Sequence, residues 1–193
     1  NNIMGTIKTT NIEPIADNGT VTLGSSGDTF TVPSGVTVNM SSATQTGVGG
    51  VNTPSFCAYL STGQSIANNT FVTLVYNAEL FDTNNDYDTS TGIFTPTEAG
   101  KYFFTVKNRF EVSAASSNQI RIEKNSNTSS LTLPDALYSN IKSENYDTHS
   151  VSGILEANGS SDTFRVRVAQ DSGGSVNVSA SFGSFFSAYK IIE

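Results

Sequence analysis

A run of alternating carboxylates and amides, Asp82-Thr83-Asn84-Asn85-Asp86-Tyr87-Asp88, places oxygen donors at every second position. Hard cations such as calcium take such oxygens, so Asp82, Asn84, Asp86 and Asp88 are the candidate metal ligands. The spacing departs from a helix-loop-helix calcium loop. Tyr87 stands where that loop needs glycine, and Ile93 where it needs a bidentate glutamate. The competing use of the same residues is turn formation, because Asp and Asn side chains bond to their own backbone. No cofactor is expected, with a surface calcium ion as the one exception this run leaves open.

His149 is the sole histidine, with Asp147 two residues before it. An acid-base pair of this kind needs a nucleophile, and no strand-turn-helix serine motif of the form G-x-S-x-G occurs. The alternation of Tyr146 to Val151 reads instead as the entry to a strand. Two glycosidase carboxylates would leave no local signature, but their rigid groove belongs to longer chains. There is no Gly-rich phosphate loop and no Cys/His cluster. The expectation is a protein without catalytic residues.

Cys57 cannot form an intrachain disulfide, and within Phe56-Cys57-Ala58-Tyr59-Leu60 it reads as a buried, inert thiol. Arg165-Val166-Arg167 puts two guanidiniums on one face of a strand, read as a solvated sheet face. A formal net charge of -7 opposes a phosphate-binding surface, so nucleic acid is excluded as a ligand. Asn18, Asn39, Asn68, Asn127, Asn158 and Asn177 each begin an N-x-Ser/Thr triplet. In a chain so rich in these residues the triplets arise by chance. No apolar stretch approaches the roughly 18 residues of a membrane span, so membrane insertion is not expected.

The elements that must carry these residues are strands. Charged residues make up 14% of the 193, and Thr, Ser and Asn fill the difference, with aromatics at 10%. β-Branched and aromatic side chains suit a pleated surface, whereas Ser, Thr and Asn compete with a helical backbone. From Pro54 onward the strand-like runs are Phe56–Leu60, Phe71–Tyr76, Gly92–Thr95, Lys101–Val112, Gln119–Lys124, His149–Leu155, Thr163–Ala169, Ser175–Ala180 and Phe185–Ile192. Eight or nine strands at this spacing suit a two-sheet sandwich or jelly roll. Leu133–Tyr146, which contains Pro134, is expected to be a helical turn or long loop.

The first fifty residues read differently. Thr20–Leu23, Thr29–Val32 and Val36–Met40 alternate at period two, separated by Gly24-Ser25-Ser26-Gly27-Asp28 and Pro33-Ser34-Gly35. They predict a stem of short strands at eight- to nine-residue spacing. With few apolar side chains, one copy must pack on the head or wind with other chains. Gln45–Thr53 is small, polar and Gly-rich, and reads as a hinge. The expected division is residues 1–50 as stem or anchor and 51–193 as head.

The head carries an ordered set of motifs. Tyr87-Asp88-Thr89-Ser90-Thr91-Gly92-Ile93-Phe94-Thr95-Pro96 is followed by Gly100-Lys101-Tyr102-Phe103-Phe104. Pro54-Ser55-Phe56-Cys57-Ala58 precedes it, then Val75-Tyr76-Asn77. Ile122-Glu123-Lys124-Asn125 and Phe186-Ser187-Ala188-Tyr189 follow, with Ala188 where a glycine is usual. This pattern resembles the complement globular-head family, which shares the tumour-necrosis-factor jelly roll. The resemblance spans Pro54 to Glu193. It implies a three-fold trimer with aromatic residues near its axis.

Period-two geometry makes a matching demand. Tyr102 and Phe104 share one face while Phe103 points to the other, and Phe185 and Phe186 oppose each other likewise. A sheet aromatic on both faces must be covered twice. An unusually large single domain could meet that demand, though about 140 residues leave little room. The trimer that the resemblance implies meets it with a neighbouring subunit, which makes Phe56, Tyr102, Phe103, Phe104, Phe185, Phe186 and Tyr189 the expected core and trimer positions.

The stem is not collagen-like. Gly5–Ile15, continuing into Val21-Thr22-Leu23-Gly24-Ser25-Ser26-Gly27-Asp28, resembles the N-terminal segments of tailed-bacteriophage virion proteins, notably marine ones. That resemblance implies a virion protein, extracellular after release, joined to other virion proteins through residues 1–50. The expected roles are a fibre or spike tip binding a host-surface glycan or protein, a capsid decoration protein, or a lectin-like glycan-binding module.

Overall fold

The computed structural model describes residues 20, 22–23, 25–38, 52–112, 115–126, 136–143, 147–180 and 183–191. The expected hinge at 45–51, the leader at 5–15, the triplets at Asn18, Asn39 and Asn127, and the run ends at Met40 and Ile192 lie outside them. The chain divides into two compact units, Asn1–Val48 and Gly49–Glu193.

In the first unit both expected breaks are turns. The Asp28 amide donates to the Ser25 carbonyl at 3.0 Å, and Val36 does the same to Pro33 at 3.2 Å. Gly27 and Gly35 sit third in their turns at φ +93° and +83°, where only glycine is unstrained. The alternating runs form no ladder among the described residues of the single chain, and Phe30 is 70% exposed and Val36 58%.

The second unit has thirteen strands among the described residues: β1 Ser55–Tyr59, β2 Gln64–Ile66, β3 Val72–Thr73, β4 Ala78–Asp82, β5 Tyr87–Asp88, β6 Ile93–Phe94, β7 Ala99–Phe110, β8 Ser116–Lys124, β9 Ala136–Ser143, β10 Asp147–Asn158, β11 Phe164–Gln170, β12 Val176–Val178 and β13 Phe185–Lys190. They form two antiparallel sheets. One runs β2-β12-β7-β13-β1-β4, with β10 also pairing β7; the other runs β5-β6-β11-β8-β9, with β3 also pairing β11.

β7 shows why the sandwich forms. Tyr102, Phe104, Val106, Asn108 and Phe110 are buried, while the residues between them are half-buried on the other face. Phe56 from β1 meets this layer, its ring 4.8 Å from Tyr87, 4.4 Å from Phe94 and 5.0 Å from Phe186. From the facing sheet come Ile120, Ile122, Phe164, Val166 and Val168, all fully buried.

Leu133–Tyr146 is not a turn or loop throughout. Its described part is β9, paired with β8 from Ala136↔Glu123 to Ser143↔Ser116. β9 lies at a sheet edge and leaves Tyr138 and Ile141 exposed, so it carries no buried alternation to read. Phe71–Tyr76 shortens to Val72–Thr73 because a side chain replaces its ladder partner. The Gln64 amide donates to the Thr73 carbonyl at 2.8 Å and accepts from the Val75 amide at 2.9 Å.

Candidate functional site

β4, β1, β13 and β7 lie side by side. Their outer face carries an apolar strip of Leu80, Phe81, Cys57, Tyr59, Phe185 and Tyr189, which Phe103 of β7 joins beside the polar Thr105 and Lys107. Cys57 sits opposite Phe81 on β4 and Ser187 on β13. Tyr189 sits opposite Phe103, with ring centroids 5.6 Å apart. A register shift between Cys57 and Ala58 bulges β4, and Leu80 and Phe81 are 72% and 50% exposed in succession. Cys57, Tyr59, Leu80, Gly183 and Phe185 line an open hollow of about 420 Å³. Burial pushes the Cys57 thiol up, and its hydrogen bond with Ser187 only partly offsets this.

Of the residues singled out from sequence, Phe56, Tyr102, Phe104 and Phe186 are inside the sandwich. Phe103 and Phe185 are half-buried on the outer strip, and Tyr189 is 40% exposed there. Tyr59, Leu80 and Phe81 also belong to the strip and were not anticipated. For Leu80 and Phe81 the signal was absent, since the β4 bulge breaks the alternation that would have marked them.

The four oxygen-rich residues at 82–88 do not converge. Asp82 accepts from the Asn84 amide (3.2 Å) and the Tyr87 amide (2.7 Å). Asn84 accepts from the Thr83 hydroxyl at 3.0 Å. Asp86 accepts from the Thr97 amide (3.0 Å) and hydroxyl (3.2 Å). Asp88 accepts from the Ser90 amide (2.8 Å) and hydroxyl (2.6 Å). Asp82 and Asp88 thus tie their own turns, and Asp86 ties its loop to Thr97, beyond β6. Among the described residues no group of three or more His, Cys, Asp or Glu side chains is placed to hold a metal ion.

His149 is buried, its Nε2 2.9 Å from Asp147 Oδ2 and its ring 5.3 Å from Phe110. The other ring nitrogen, Nδ1, has no hydrogen-bond partner among the described residues.

Arg165 and Arg167 do share the outer face of β11, yet that face is not freely solvated. Arg165 bonds to Glu123 with Nε and Nη2 at 3.2 and 3.1 Å, and the Phe71 carbonyl accepts from Arg167 Nη2. Register adds Arg121, directly opposite Arg167 on β8. Sequence could not reveal that pairing, because it joins positions on two separate strands.

The C1q domain family model matches residues 55–191. No curated protein matches the chain. Murine APRIL at pH 5.0 superposes with a TM-score of 0.53 at 13% identity, over 71% of this chain and 98% of that one. Murine APRIL at pH 8.0 gives 0.50 at 11% identity, over the same shares. The globular domain of zebrafish complement 1qA protein is 17% identical over 72% of this chain and 98% of its own, with a TM-score of 0.49. The fold the two APRIL structures share with this chain is the two-sheet jelly roll.

Proposed function

This chain belongs to the C1q domain family, and from that premise we propose that it acts as a homotrimeric, non-catalytic binding head. The observation that carries the reading is the outer strip of β4, β1, β13 and β7. Leu80, Phe81 and Tyr189 are each at least 40% exposed there, around a hollow lined by Cys57, Tyr59 and Phe185. An apolar patch of this kind marks an interface, and a closed three-fold ring covers it with a neighbouring copy's surface. Light scattering at micromolar concentration tests it. The expected mass is three times the 20.4 kDa of one chain, and a monodisperse monomer refutes it.

The biological setting we infer is the particle of a tailed phage, with residues 1–50 joining the head to other virion proteins. Support comes from the resemblance of the leader to such stems and from the lack of a collagen-like repeat. The head then serves as a fibre or spike tip that engages a host surface by weak multivalent contacts. Copy number and position in an intact particle test this. A tail position supports the tip, and a shell position supports a decoration protein that raises the heat resistance of empty capsids. Absence from particles together with a glycan-array signal supports a free lectin-like module.

A further inference from the structure

Three of the chain's four arginines, Arg121, Arg165 and Arg167, stand on one outward face of β8 and β11 in a protein of net charge -7. Arg121 and Arg167 are direct cross-strand partners, an arrangement that repels. The Glu123 carboxylate faces two of them, Arg165 and Arg121. Glu123 is fully buried and spends Oε2 on Arg165, leaving Arg121 Nη1 3.8 Å from Oε1. Arg121 also lies over the Phe71 ring at 3.5 Å, and Arg167 is 5.7 Å from the same ring. The Nε groups of Arg121 and Arg167, both buried, have no hydrogen-bond partner among the described residues. Burial, and then the neighbouring Arg167, also hold the Arg121 guanidinium below its ordinary range. With Glu123 and the Asp171 of the adjoining hollow set against three guanidiniums, the face is positive by about one charge and under-satisfied, a cost that a bound anion would relieve.

One register step along the same two strands is a hollow of about 140 Å³, lined by Asn69, Phe71, Ser117, Gln119, Ala169, Gln170 and Asp171. Gln119 precedes Arg121 by two positions and Ala169 follows Arg167 by two, so hollow and guanidiniums share a face about 7 Å apart. Asn69 and Gln119 side-chain amides make no hydrogen bond among the described residues, and each offers both donors and an acceptor. Amides and a carboxylate around a small hollow suit vicinal hydroxyls, and the volume admits one ring rather than an oligomer.

We propose that this face binds a single anionic sugar residue, its carboxylate or sulfate held by the arginines and its hydroxyls by Asn69, Gln119 and Asp171. The site deepens the reading of the chain as a binding head by naming a ligand class. It lies on the sheet opposite the oligomerising strip, so the two stand or fall separately. A trimer that binds no anionic sugar loses only this site, and a monomer that binds one keeps it.

The test is calorimetric titration of the full chain at fixed 0.15 M ionic strength with four probes: a uronic acid monosaccharide, a sulfated monosaccharide, neutral glucose and an acidic tetrapeptide. At least one charged sugar is expected to bind at one site per chain, about tenfold or more tighter than glucose. Arg167→Gln is expected to weaken it by about tenfold. Gln119→Ala, on a half-buried side chain that supports no other group, is expected to weaken it severalfold with the melting curve unchanged. Which charged sugar binds identifies the anion. The proposal is overturned if neither charged sugar outbinds glucose, if Gln119→Ala binds as the parent does, or if the peptide fills the site equally well.

Discussion

Adjacent residues Phe103 and Phe104 allow the two faces of β7 to be separated experimentally. Phe104 is fully buried, its ring 4.6 Å from Phe164, 6.1 Å from Phe94 and from Phe186, and 6.3 Å from Tyr102. Phe104→Ala should cost about 3–5 kcal/mol, toward the upper end because four aromatic contacts go with it. At about 2–4 °C per kcal/mol for a chain of this size, the melting point should fall by about 10–20 °C. Phe103 touches one ring, that of Tyr189 at 5.6 Å, on the outer strip. Its truncation should cost only about 1 kcal/mol within one chain, but about 2 kcal/mol or more where copies meet. The assay is melting by near-ultraviolet circular dichroism paired with light scattering over a hundredfold dilution. Phe104→Ala should melt early while its folded form keeps its oligomeric mass. Phe103→Ala should lose mass on dilution and melt in a concentration-dependent way. If Phe103→Ala keeps full mass at every dilution, the outer strip is not the interface. If Phe104→Ala costs under about 2 kcal/mol, the packing described for the core is wrong.

Glu123→Gln leaves Arg165 without its carboxylate, and urea unfolding should show a loss of about 3 kcal/mol, at the low end for a broken buried pair because Arg165 is partly exposed. Gly159→Ala places a Cβ 2.2 Å from the Ala99 amide nitrogen at φ +70°, and the same measurement should show a loss of about 2 kcal/mol or more. For Asp162, burial raises the carboxyl, but hydrogen bonds from Asn125, Lys124 and the Asn158 amide outweigh it and hold it below the ordinary range. Its folded value is below its unfolded one, so its contribution is full above about pH 4 and is lost as pH falls through the folded value. Asp162→Asn should therefore flatten the acid limb of a stability-pH profile; an acid limb as steep as the parent's would refute the assignment.

Strand alternation was legible wherever one face is deeply buried. β7 and β11 show it, with Tyr102, Phe104 and Val106 or Phe164, Val166 and Val168 inward. It was not legible at β9, whose edge position leaves Tyr138 and Ile141 exposed, nor at β2 and β5, which span three and two residues. In the stem the alternation is as regular in sequence, and within one chain Phe30 and Val36 stand exposed. Periodicity reports what a strand could bury, and pairing depends on whether another face is there. The carboxylates at 82–88 failed as a cluster for a related reason. Spacing along the chain cannot say whether an Asp oxygen faces a shared centre or a separate donor, and here Asp82 and Asp88 take local amides while Asp86 takes Thr97.

The two sheets turn different surfaces outward, and this has a consequence for affinity. The hollow on β4, β1 and β13 is lined by apolar groups, and the β8-β11 face carries three arginines, two of them facing Glu123. A 140 Å³ hollow that admits one sugar ring can hold it only weakly, because few atoms are buried. Burying the apolar strips against one another would put three such faces on one particle. Engagement of several at once on a surface raises the effective affinity by about 10² to 10⁴ without any new contact. A single face would then bind free sugar in the millimolar range while the assembly holds a dense anionic surface firmly. Phe103→Ala should abolish the surface binding and leave the free-sugar titration unchanged. If it leaves both unchanged, the oligomer does not supply the avidity.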